Sequence, residues 1–96
     1  MNREQLLEQL REHKPTLAQR FGVIELALFG SFARDEADGD SDVDILVRFD
    51  TPPHWRQYFD TQFFLEDLLG RSVDMATYGE VREEIKPFVE KEVVDV

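Results

Sequence analysis

The chain has no cysteine, which excludes disulfides and thiolate-bound metal. It has no apolar run long enough to cross a bilayer, which takes about 20 residues. Its start, MNREQLLEQLREHK, is charged and amphipathic and lacks the core of a signal peptide, so the expected location is the cytoplasm. Basic residues are scarce: 11 Lys and Arg stand against 21 Asp and Glu, for a net charge of −10. Proteins that grip DNA or RNA neutralise phosphates with such residues, so direct nucleic-acid binding is not expected. The two histidines, His13 and His54, lack helical metal spacing and read as surface residues. Neither G-x-x-x-x-G-K-[ST] nor G-x-G-x-x-G occurs, which disfavours P-loop and dinucleotide-binding folds.

What is present is enough for a packed core. The 96 residues are 42% hydrophobic with eight Phe, consistent with one domain spanning residues 1–96. Residues 3–13 read as a helix capped by Asn2, with Leu6, Leu7 and Leu10 on one face. Pro15 opens a second turn or helix to about Phe21, and Gly22 ends it. Residues 23–29 read as a strand in which Ile24, Leu26 and Leu28 share a face. A short helix from Ser31 to about Glu36 follows, then a loop, then a strand over 43–49 broken by Thr51-Pro52-Pro53. An amphipathic helix runs from about Trp55 to Leu69, capped by Gly70; its Trp and Phe residues suit core and partner surface. A third strand covers 71–77, and residues 80–94 read as helical with a kink or restart at Pro87. The expected class is α/β or α+β, a small mixed sheet of three to four strands flanked by helices. The link between the first two strands holds only a stub of helix, so its length leaves their relative direction open.

The stretch LALFGSFARDEADGDSDVDILV carries the chemistry. Residues two apart on a strand share a face, with Cα atoms roughly 6.6–6.8 Å apart. Asp42 and Asp44 therefore point together, and Val43 points away. At about 7 Å two such charges repel by roughly 2–2.5 kcal/mol at an effective dielectric near 20. A divalent cation would offset this repulsion; Mg²⁺ typically takes one or two carboxylates plus substrate phosphates. A calcium loop fails on spacing, because counting from Asp38 or Asp40 places apolar or Thr residues where Gly and Glu are required. Gly30-Ser31, at a strand-to-helix turn, suits a phosphate but is also an ordinary turn. Asp74, on the polar side of the third strand, is the best third carboxylate if that strand lies beside the second. Alone it reads as a surface residue. Arg34 suits either a phosphate or a salt bridge to Asp40 or Asp42. Ser41 ties the turn to its own backbone. Arg82 and Lys86 lie one helical turn apart and read first as a solvated face.

Together, Gly30-Ser31, Arg34, Ser41-Asp42-x-Asp44 and Asp74 resemble the nucleotidyltransferase superfamily that includes DNA polymerase beta. The spaced pattern G-S-x-x-R-x6-S-D-x-D is more specific than its parts. Within the superfamily the chain is similar to the minimal nucleotidyltransferases, the MNT or MntA-like proteins, over essentially its whole length. The resemblance implies the polymerase beta-like nucleotidyltransferase fold and a nucleoside triphosphate substrate, usually ATP. It implies Mg²⁺, as two ions, held by Asp42, Asp44 and Asp74, with Asp74 also helping to deprotonate the acceptor hydroxyl. Gly30 and Ser31, with Arg34 and Ser41 beside them, would bind the phosphates. It implies a HEPN-domain ribonuclease toxin as partner in a hetero-oligomer, an antitoxin role and transfer of AMP to a tyrosine of that toxin. Two alternatives stand beside this reading. One is a non-catalytic module that neutralises a partner by occlusion. The other is a nucleotidyltransferase for a small cationic acceptor of the aminoglycoside type.

Overall fold

The computed structural model of the chain describes residues 2–37, 41–78 and 93–96. Its first helix, α1 (Arg3–Phe21), starts under a reciprocal cap. The Gln5 amide donates to Asn2 Oδ1 at 2.9 Å, and the Asn2 amide donates to Gln5 Oε1 at 3.0 Å. Such caps contribute about 1 kcal/mol. The helix ends at Gly22, whose φ of 71° is left-handed and whose N–H turns back to the Ala18 carbonyl. Pro15 does not divide it, contrary to the expected break after residue 13. Leu6, Leu10 and Leu17 are all buried in the core, so both halves must keep one axis. Pro15 itself is exposed, where water can satisfy the carbonyl that loses its partner.

Strand β1 (Val23–Phe29) pairs antiparallel with β2 (Val43–Phe49). The stub between them is α2 (Gly30–Ala33), shorter than the helix expected to about Glu36. It gives way at Asp35, which takes φ 61°. The register slips between Val23 and Glu25, so Ile24 is the extra residue of a bulge. One added residue reverses the facing of what precedes it. Val23, Leu26 and Leu28 therefore enter the core, and Ile24 is 53% exposed, correcting its expected burial.

Helix α3 (Trp55–Leu69) connects β2 to β3 (Val73–Thr77), which begins two residues later than expected and runs parallel to β2. His54 is the cap of α3, its Nδ1 accepting from the Gln57 amide at 3.3 Å. His13 packs edge-on to Phe64 and is half-buried, not a simple surface residue. The sheet order is β3-β2-β1-β4, a mixed sheet. The last strand, β4 (Val94–Asp95), adds to β1 antiparallel, so the expected helix does not extend to residue 94. Its remainder, with Arg82, Lys86 and Pro87, lies outside the described residues.

One face of the sheet carries Leu26, Leu28, Val43, Ile45, Val47, Val73 and Met75, packed against leucines of α1 and α3. Among the described residues, no further strand pairs with the outer edge of β3. A row of α3 side chains covers it instead: Tyr58 Oη donates to the Met75 carbonyl at 2.5 Å, and Gln62 Nε2 to the Val73 carbonyl at 2.8 Å. Glu66 Oε2 accepts from the Val73 amide at 3.0 Å. Residues 58, 62 and 66 are four apart, hence on one helix row. They satisfy backbone groups that an open edge would leave exposed.

Candidate active site

Strand alternation puts Asp44 on the face opposite the leucine core. The β2–β3 register pairs Asp44 directly with Asp74, and the β1–β2 register pairs it with Phe29. Neighbouring strands lie about 4.8 Å apart, so the two carboxylates are side by side on one face. Asp42 precedes β2 by one residue, is exposed, and acts electrostatically on Asp44. Burial, then Asp74, then Asp42 push the Asp44 carboxyl from 3.8 up to about 6, and the Arg34 guanidinium opposes them.

Gly30 follows Phe29 with φ 73°, a conformation that favours glycine. A side chain there would also have no room, because its Cβ would run into the Asp44 carboxylate, 2.9 Å from Cγ. The turn is therefore packed onto the acidic pair. Ser31 lies within α2 and not at its cap; the cap position is Phe29. Arg34 Nε donates to Glu36 Oε2 at 3.1 Å, and Asp40, one of its two expected partners, lies outside the described residues. The Ser41 carbonyl accepts from Arg71 Nη1 at 3.0 Å.

Arg71 had no role in the sequence reading. Its guanidinium lies 5.2 Å from the Phe32 ring while it holds the Ser41 carbonyl. With the Val43 amide bonded to the Ser72 carbonyl at 3.0 Å, it joins the entries of β2 and β3, which sets Asp44 against Asp74 and leaves Asp42 at the mouth of β2. Arg3 likewise ties α1 to the end of α2 through the Ala33 carbonyl at 3.0 Å. No local pattern signals either contact; both bonds span 30 residues.

Among the described residues, no three His, Cys, Asp or Glu side chains converge closely enough to form a ready metal cluster. The donor chemistry nonetheless suits a hard divalent cation. Asp44 and Asp74 offer paired carboxylate oxygens, and a cation there would offset the burial and like-charge cost at Asp44 that Arg34 relieves only in part.

A mixed sheet thus carries an acidic pair, Asp44 and Asp74, beside the Gly30-Ser31 turn. The model of the nucleotidyltransferase domain family matches residues 10–96, and the chain belongs to that family as a nucleotidyltransferase of the minimal, MNT-like kind. Protein adenylyltransferase MntA of Thermococcus cleftensis is 42% identical over 93 residues, which covers 97% of this chain and 94% of the relative. A solved structure classed as a minimal nucleotidyltransferase superposes with a TM-score of 0.83 at 32% identity, over 100% of this chain and 97% of that one. The fold also matches a chain, at TM-score 0.60 and 18% identity, from the complex of tri-AMPylated Shewanella oneidensis HEPN toxin with MNT antitoxin. That match covers 98% of this chain and 67% of the other.

Proposed function

We propose that the chain transfers AMP from ATP to a tyrosine hydroxyl of a HEPN-type ribonuclease toxin in the cytoplasm, and so acts as its antitoxin. The observation that carries this reading is the pairing of Asp44 with Asp74 across β2 and β3, with the Gly30 turn packed on Asp44. The adenylyltransferase name of the 42% identical relative supports AMP as the transferred group. The AMPylated toxin in the complex that shares the fold supports a HEPN partner.

Asp42, Asp44 and Asp74 would hold Mg²⁺, as two ions. Bound there, Mg²⁺ supplies charge stabilisation to the attacking and leaving oxygens of the displacement. Gly30 and Ser31 hold the β- and γ-phosphates through the turn, which brings the backbone close where a side chain would block it. Arg34 and Ser41 flank the same entry. The acceptor oxygen bonds to the α-phosphorus as the bond to the bridging oxygen breaks. Pyrophosphate leaves, and the hydroxyl proton passes to the Asp74 carboxylate. That proton transfer suits an exposed carboxylate on an edge strand, where an acceptor from outside can reach it.

The test is incubation of the chain with ATP labelled at the α-phosphate, Mg²⁺ and a HEPN toxin. Label on the toxin is expected, with none from Asp42→Asn/Asp44→Asn. Intact ATP binding without transfer refutes the reading. An occlusion mechanism has one observation in its favour, the exposed Trp55, Phe59 and Phe63. It predicts that the Asp42→Asn/Asp44→Asn variant protects cells as well as the unaltered chain.

A further inference from the structure

Helix α3 uses three of its sides differently. Thr61, Leu65 and Leu69 are buried in the core, and Tyr58, Gln62 and Glu66 grip β3. The next row round, Trp55, Phe59 and Phe63, is 70%, 46% and 60% exposed. At about 3.6 residues per turn, Phe59 and Phe63 lie one step round the surface from Gln62 and Glu66. The aromatic row thus borders the edge of β3. Asp74 sits between Val73 and Met75, the two residues gripped there. The three rings leave on the order of 350 Å² of apolar surface in water, taking roughly 200 Å² per aromatic side chain. That is the size of a functional patch, and nearly half of the roughly 800 Å² per partner of a standard interface.

We propose that Trp55, Phe59 and Phe63 are the docking surface for the protein acceptor. The occupant is a partner whose own apolar patch is ringed by Lys and Arg. The stripe runs into a groove of about 580 Å³ lined by Phe63, Phe64 and Phe21, with Asp60 and Asp67 at its side. Arg20, in the same groove, is stacked over Phe21 and Phe64. A second copy of this chain would bring another charge of −10, whereas a basic partner gains from the same field. A protein seated on this row lies along the β3 edge; Asp74 faces the side of the sheet away from α3, so the acceptor reaches round that edge to present its hydroxyl. The proposal rests on the reading of the chain as a protein adenylyltransferase.

Trp55 is the only tryptophan, so a fluorine-labelled tryptophan reports this surface alone. A HEPN-domain toxin from the same genome is titrated into the labelled chain. The fluorine signal should move saturably, with affinity falling as salt rises. Phe59→Ser/Phe63→Ser should raise the KM for the toxin about tenfold or more, the scale of losing an aromatic anchor. The Mg-ATP thermal shift, and kcat at saturating toxin, should stay within about twofold. Toxin that binds by calorimetry without moving the signal, an unchanged KM in the variant, or no toxin binding at all would each overturn the proposal. So would a signal that moves with the chain's own concentration and a dimer in sedimentation, which assigns the surface to a second copy. A moving signal without AMP transfer keeps the docking surface and removes the catalytic reading. If the double variant unfolds, Phe63→Ser and the titration of the unaltered chain decide.

Discussion

Asp44→Asn should make the protein more stable while removing its chemistry. Asparagine keeps the shape of the side chain and deletes the charge. The carboxyl's ordinary value is 3.8, and in the fold it stands at about 6 because it is partly buried and faces Asp74 and Asp42. That difference corresponds to roughly 3 kcal/mol of charging cost before screening. Asp44 is partly open to water, which reduces the cost to about 1 kcal/mol. The sign follows from proton binding. The folded state holds this proton more tightly than the unfolded chain, so its contribution is complete below about pH 4 and is lost as pH rises through about 6. Asp44→Asn should therefore raise stability by about 1 kcal/mol at pH 8 in chelator, or roughly 4–8 °C in Tm for a domain this small, with little gain at pH 4. Millimolar Mg²⁺ should narrow the gap by stabilising only the unaltered chain. Urea unfolding at the two pH values measures this. A variant neutral or less stable at pH 8, or equally shifted at both, would refute the argument that burial and the neighbouring carboxylates make the Asp44 charge costly in the fold.

Three further substitutions separate support from chemistry. Gly30→Ala should cost about 1–3 kcal/mol in denaturant unfolding, from its left-handed φ and its collision with Asp44, and should abolish AMP transfer even where the fold persists. Glu66→Ala leaves the Val73 amide without its acceptor and should cost about 1–3 kcal/mol; because Val73 adjoins Asp74, transfer should fall while ATP-induced thermal stabilisation remains. Leu65→Ala, at a fully buried position between helix and sheet, should cost about 2–5 kcal/mol with no specific effect on kcat in the molecules that stay folded.

Local chemistry in the chain was sufficient for much of this molecule. Asn2, Gly22 and Gly70 end helices because their own side chains, or lack of one, satisfy or permit the terminal geometry. Asp42 and Asp44 are two apart and Gly30 opens a turn whatever lies nearby, so the candidate site was visible as a motif. The choices that failed locally were those in which a distant partner outweighs a local preference. Pro15 stays inside α1 because leucines on both sides of it share one core. Ile24 leaves the core because a bulge against β2 sets the facing of Val23. The antiparallel direction of β1 and β2 was open until they were seen paired. The placing of Asp74 opposite Asp44 depends on α3 delivering β3 parallel to β2 and on Tyr58, Gln62, Glu66 and Arg71 holding backbone groups 7 to 30 residues away. Spacing along a chain decides which residues share a face; only hydrogen bonds and packing between separate elements decide which faces meet.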